Sequence, residues 1–395
     1  MKKKVILVWF RNDLRTTDNE VLLTAVQKSD YIIPVFIFDP RYYETNKFGF
    51  KNTGENRHQF IINAVYSLKQ QMKALGGDLL TYSGYPEEIL PQLVLKYDVD
   101  EVYHHREVAV RETSISEFVE EALWKTKRNL KHFIGHTLYH KEDLPFPIKD
   151  IPDDFNTFKK KVLKESFVRP VFPAISQIAI PPHVEQTVFP FPIPDSADCH
   201  AYGEQEAIAQ LGKTIAKSEK NFDLYSEISP FLALGIISPA YTYHFLNAHI
   251  NSSNKKGIQA ILDRLMMRDY YRFMLKKHPN IYFISNQEQV SNAQLIESWT
   301  TANTENNYVN ELLSKLNEKG NLTYREREIV ALYFIYILQQ PWLVGAAWFE
   351  QQLIDYAPAS NYGFWAHLAN QGTSVKNNKS QDDLDKYKEL ISVVE

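Results

Sequence analysis

One cysteine, Cys199, occurs in 395 residues. A lone thiol excludes an intrachain disulfide and any metal site built on paired cysteines. Glycine is scarce, with 14 residues, and no G-x-G-x-x-G run follows the first strand-like segment. The usual dinucleotide fingerprint of NAD-binding folds is therefore missing. No stretch reaches the roughly 18–20 apolar residues of a membrane span. The run Val5–Phe10 is too short for a signal-peptide core, and Arg11 and Asp13 follow it at once. These absences predict a cytoplasmic protein without membrane contact, expected to be a monomer. Positive charge is not in excess either: 44 Lys and Arg face 48 Asp and Glu, for a net charge of −4. Whole-chain charge disfavours tight non-specific binding to nucleic acid, so any contact with single-stranded DNA needs a local basic patch.

Aromatic residues are abundant: 23 Tyr, 23 Phe and 6 Trp. A large aromatic core accounts for most of them; stacking and electron transfer around a planar cofactor is the functional alternative. The first 140 residues alternate strand and helix signals. Val5–Phe10 and Tyr31–Phe38 are continuous apolar runs, as expected of strands buried on both faces. Residues 78–82, 101–104 and 130–139 read as further strands, and 19–27, 56–75, 86–97 and 112–126 as helices. Alternation of this kind predicts a doubly wound parallel sheet, an α/β domain over residues 1–140. Ten of the 19 prolines then fall within 141–200. Proline fixes φ and removes a backbone donor, so this stretch reads as an irregular linker with one short helix near 154–163. From 201 to 375 helical signals dominate, at 204–211, 230–235, 239–248, 258–277, 309–316, 325–339 and 345–356. An all-α domain is expected there, followed by a polar tail over 376–395.

Several segments then stand out together: VWFRNDLRTTDN (residues 8–19), FIFDPRYYETNKFGFKNTGENRHQF (36–60), REVAVRETSISEFVEEAL (106–123), YSEISPFLALGIISP (225–239), MRDYYRFML (267–275), REREIVALYF (325–334) and WFEQQLIDYAPASNYGFWAHLANQG (348–372). In order and spacing they resemble the cryptochrome/photolyase family, most closely its DASH branch, across roughly residues 4–375. The resemblance implies an α/β domain, a long linker and an all-α FAD-binding domain.

Carried over position by position, the resemblance implies that Ser226, Ile228 and Ser229, at a helix start before Pro230, hold the FAD pyrophosphate. Anions favour such a place because its backbone N–H groups are free; a plain helix cap is the simpler alternative. It places Arg268 toward the phosphates and makes Arg327 and Asp355 a pair against the flavin ring, where a planar guanidinium gives fixed geometry. Asn361 falls beside the ring nitrogen that is protonated on reduction. Trp365 and Trp342 match the first two members of an electron relay whose third position is Gln289; Trp299, Trp348 or a tyrosine are the candidate substitutes. A folate antenna is expected near Arg106–Glu107 and the Phe36–Arg41 strand end, where an inter-domain ion pair at Glu107 is the competing reading.

The substrate pocket departs from the family pattern. Arg264 and Met267 replace a Glu and a Trp, Tyr324 replaces an Asn, Glu328 a Met or Gln, and His367 an aromatic base-stacking residue. Flipped bases are caught on such aromatic faces, each worth about 1–3 kcal/mol. Arg264 and Glu328 are expected to pair across the pocket. Tyr225, Ala357 and Asn321 also differ from the family near the cofactor, which predicts weakened FAD binding. Three readings follow. The first is a FAD-containing blue-light flavoprotein without dimer repair, acting through an unidentified signalling partner. The second is a photolyase for dimers in single-stranded DNA, with Arg272, Lys276, Lys277 and His278 as its basic rim. The third is a cofactor-free scaffold. Colour, photoreduction and salt-dependent DNA binding separate them.

Overall fold

The computed structural model describes residues 2–193, 202–285 and 290–373. Cys199, Gln289 and the tail from 376 lie outside the described residues.

Strands and helices alternate in the first 133 residues: Val5–Phe10 (β1), Glu20–Lys28 (α1), Tyr31–Phe38 (β2), Glu55–Ala74 (α2), Leu80–Ser83 (β3), Pro86–Lys96 (α3), Glu101–His105 (β4), Val110–Lys125 (α4) and Leu130–Phe133 (β5). The five strands are parallel in the order β3-β2-β1-β4-β5. With β1 at the centre and helices on both faces, all six of its side chains are buried. The pleat divides them. Ile6, Val8 and Phe10 join the core that continues into the helical region, whereas Val5, Leu7 and Trp9 pack with residues of α3 and α4. Register pairs Val5 with Tyr31 and Phe10 with Phe36. The carboxyl ends of β1 and β2 therefore open at the same edge, where sheets of this kind place ligands.

The fifth strand is shorter than the sequence predicts. Its pairing with β4 ends at Phe133, and further on the amides of Leu138 and Tyr139 donate to the carboxylate of Asp269, at 2.9 Å each, instead of to the sheet. Residues 166–193 contain no strand or helix. The linker helix, Phe155–Glu165 (α5), is capped by Asp154.

The remaining helices are Glu204–Lys217 (α6), Ser229–Ala233 (α7), Pro239–Ala248 (α8), Lys255–Lys277 (α9), Ala293–Thr300 (α10), Asn307–Lys319 (α11), Tyr324–Leu332 (α12), Trp342–Gln352 (α13) and Pro358–Leu368 (α14). Two were not expected. Asn292 caps α10 through the amides of Gln294 and Leu295, and Pro358 opens α14 from a position where its missing N–H costs nothing. The expected helix over 325–339 is interrupted after Leu332 by a π turn, Tyr333–Ile337. Helices α13 and α14 approach closely at Gly345, where a Cβ would lie 2.3 Å from the Trp365 ring.

Candidate cofactor cavity and its surroundings

Helices α9, α12, α13 and α14 and the turn before α7 enclose a cavity with about 790 Å³ of free space, its open mouth included. At one wall, Arg327 Nη2 donates to Asp355 Oδ2 and to Asn321 Oδ1, both at 2.8 Å, and Arg327 Nε donates to the Leu322 carbonyl. The Ser229 hydroxyl donates to the same Asp355 oxygen. This fixes the carboxylate and leaves Asp355 Oδ1 buried without a donor. Asn361 shows the same pattern. Its amide nitrogen donates to the Ala346 carbonyl at 2.9 Å, and Oδ1 is buried and unsatisfied. Both residues line the cavity.

Arg268 is buried in the same wall, donating to the backbone carbonyls of His136 and Leu232. Burial, and then the neighbouring charge of Arg272, lowers its pKa from the ordinary guanidinium value. No carboxylate pairs with it among the described residues. Unpaired buried cations are costly, so an anion at this place is favoured. Ser226 lines the cavity, and its carbonyl accepts from Asn321.

The structure brings Ser226, Ser229, Arg268, Arg327, Asp355 and Asn361 together around one space, along with Arg264, Met267 and Tyr324. It does not place Ile228 there: that side chain is wholly buried in the core, because α7 is a single turn that turns it inward. Neither serine caps α7. Ile228 occupies the cap position with no side-chain bond, and Ser229 spends its hydroxyl on Asp355.

The expected ion pair between Arg264 and Glu328 does not form. Glu328 pairs with Arg325 at 2.7 Å, three residues back on the exposed face of α12. The Arg264 guanidinium instead lies over the Tyr324 ring, 3.2 Å from its centroid, and Tyr324 meets Phe364 edge-on. His367 is exposed and lines an outer chamber, which shares Met267 and Tyr271 with the inner cavity. The basic rim is largely spent: Arg272 pairs with Glu107 at 3.0 Å, and Lys277 and His278 both contact Asp153.

Trp365 is fully buried behind the cavity wall, one turn along α14 from Asn361. Its ring neighbours are Trp299 at 6.2 Å, Phe334 and Phe349; Trp299 in turn meets Trp348 at 4.5 Å. Trp342 is also buried, with its indole N–H unpartnered, but its ring is not among those touching Trp365. Tyr271, Phe349, Ser360 and Phe364 also line the cavity and were missed. Helical spacing gives a signal for two of them: Tyr271 stands three residues after Arg268, and Phe364 three after Asn361.

A second cavity, with about 890 Å³ of free space, opens at the carboxyl ends of β1 and β2, against Trp9, Phe10, Phe38 and Asp39. Tyr356, beneath the Arg57 guanidinium, lines both cavities. Glu107 is not in either. It is clamped by Arg272, Asn12 and His136, and despite burial its charged neighbours, Arg272 and Arg11 among them, hold it well below the usual carboxylate range.

Comparison with known proteins places this architecture. The DNA photolyase family matches residues 6–177, and the FAD binding domain of DNA photolyase matches residues 261–383. Cryptochrome DASH of Danio rerio is 32% identical over 95% of this chain and 79% of its own length. The chain belongs to the cryptochrome/photolyase family, on its DASH branch. The DASH protein of Gloeobacter violaceus is 31% identical over 95% of this chain and 81% of its own. The crystal structure of a Synechocystis cryptochrome superposes with a TM-score of 0.88 at 29% identity, covering 100% of this chain and 89% of that one. Among the described residues no helix is long and apolar enough to cross a membrane, and no group of three His, Cys, Asp or Glu is arranged to hold a metal.

Proposed function

We propose that this DASH-branch chain is an FAD-containing, blue-light-responsive flavoprotein that does not repair pyrimidine dimers. The observation that carries the reading is the pair of buried acceptors, Asp355 Oδ1 and Asn361 Oδ1, left without donors beside the Arg327–Asp355 pair. An unsatisfied buried acceptor costs about 1–3 kcal/mol. Ring N–H groups of a flavin satisfy such acceptors, and the buried guanidinium of Arg268 suits a pyrophosphate, so the residues fit FAD. Bound FAD supplies light absorption and electron chemistry. The chain supplies the rest. Asn361 offers an acceptor where a ring nitrogen gains its proton, because Ala346 has already taken its amide donor. Trp365 stands behind Asn361 to pass an electron inward, with Trp299 and then Trp348 in ring contact.

Against repair stands the Arg264–Tyr324 stack, which occupies the wall where a flipped base needs an open aromatic face. The purified chain is expected to be yellow and to photoreduce. With FAD bound, illumination of a cyclobutane dimer in single-stranded DNA should leave the dimer intact. Efficient repair would instead establish the photolyase reading, and a colourless chain that takes up no FAD the scaffold reading.

A folate antenna is part of the same proposal. Lys276 is half-buried, and burial together with Arg272, Lys141 and Arg106 lowers its pKa to about 8. Such a cationic cluster suits folate carboxylates. Glu107, already clamped, is not available as a ligand.

A further inference from the structure

Three guanidiniums line the inner cavity, and their surroundings differ. Arg327 is neutralised by Asp355. Arg268 rests on two backbone carbonyls. Arg264 pairs with no carboxylate among the described residues; Glu328, the partner expected from the sequence, is held by Arg325. What fixes Arg264 is the Tyr324 ring, and stacking of this kind positions a guanidinium without neutralising it.

That positive charge sits at a definite end of the cavity. Tyr324 lies three residues before Arg327 on α12, so the two share a face. Tyr324 also meets Phe364, which stands one turn after Asn361 on α14. Arg264 is thus tied to the end marked by Arg327 and Asn361, whereas Arg268 lies one turn further along α9, toward the Leu232 and His136 carbonyls.

We propose that Arg264 is a redox-tuning residue: its uncompensated charge favours the negative form of the reduced flavin ring and raises the potential of bound FAD. The proposal rests on the FAD reading above. Two electrons and one proton taken up by the neutral oxidised ring leave one negative charge on it. A cation in the same low-dielectric cavity stabilises that product and leaves the neutral oxidised ring nearly unaffected. Arg264 is only half-buried, so part of the effect is screened by salt.

The test is a potentiometric titration of the FAD-loaded full chain, with dithionite as the electron donor. Arg264→Gln is expected to shift the reduction equilibrium at least tenfold against the reduced form, or about 30 mV for a two-electron couple. Arg264→Glu should shift it further, and Arg264→Lys should stay near the parent chain. Raising the salt concentration should narrow the gap between parent and Gln variant. Should a charge variant fail to fold, Arg264→Met, which keeps the length of the side chain, takes its place. FAD-loaded Gln, Glu or Met variants with unchanged midpoints would overturn the role of Arg264 and leave the FAD reading intact. A parent chain that takes up no FAD overturns both.

Discussion

Asp355 carries three obligations with two oxygens. One oxygen serves Arg327 and Ser229, and the other faces the cavity with no donor. Asp355→Asn weakens the Arg327 contact and removes the charge, so FAD affinity should fall at least tenfold in a fluorescence titration; unchanged affinity would remove Asp355 from the site. Removing one partner of a buried pair typically costs about 3–5 kcal/mol, so Asp355→Ala should also lower stability. The tryptophans make a sharper contrast. Trp365→Phe should abolish photoreduction of the bound flavin. Because Trp365 touches Trp299 and not Trp342, Trp299→Phe should slow photoreduction more than Trp342→Phe, as read by bleaching of the flavin band under blue light. The opposite ranking would return the relay to Trp342.

At the scale of elements, α12 is the critical piece, because its first turns present both Tyr324 and Arg327. A reciprocal capping box fixes that turn. Thr323 Oγ1 accepts from the Glu326 amide, and the Glu326 carboxylate accepts from the Thr323 amide. Loss of such a cap costs about 0.5–2 kcal/mol. Thr323→Ala should therefore lower the denaturation midpoint by that equivalent and also weaken FAD binding, whereas a cap lost from α5 by Asp154→Ala should affect stability alone. A shared loss of FAD binding in both variants would argue against a local role for α12. The close approach of α13 and α14 is the second element-level constraint. Gly345→Ala would drive a methyl into Trp365, and overpacking of this kind costs about 1–3 kcal/mol.

The whole molecule is joined by a buried polar seam between the sheet and α9. Glu107 binds Arg272, Asn12 and His136, while Asp269 accepts the amides of Leu138 and Tyr139. The two acids titrate in opposite senses. Burial alone would raise Glu107, but its cationic neighbours hold its folded pKa below the ordinary value of about 4.3. Its contribution is therefore present above that pH and lost as pH falls below it. Burial raises Asp269 to about 7, outweighing its two amide donors, so its contribution is fully present below about pH 4 and lost as pH rises through 7. Stability should therefore fall below about pH 4, and fall again as pH rises from about 4 to 7. In thermal melts across pH, Glu107→Gln should flatten the acid limb and Asp269→Asn the limb near pH 7. Limbs unchanged by these substitutions would show that the seam does not set the pH profile.

Much of this was legible in the chain itself, because apolar runs and helical periodicity are local properties. Val5–Phe10 and Tyr31–Phe38 had to be buried on both faces, and the proline-dense stretch could not join the sheet. The identities of Arg327, Asp355 and Asn361 likewise pointed to one chemistry, since motif order survives in sequence. Pairing does not. Whether Arg264 met Glu328 or Tyr324 could not be read from spacing, because the two stand four residues apart on one face of α12; Arg325, three residues from Glu328, holds that carboxylate. The partner of the Leu138 and Tyr139 amides was Asp269, about 130 residues away, and the ring beside Trp365 was set by the packing of α10 against α13 and α14. Sequence determines what each residue is able to do; only the folded chain decides which partner reaches it first, because hydrogen bonds and ion pairs act over a few ångströms in space regardless of distance along the chain.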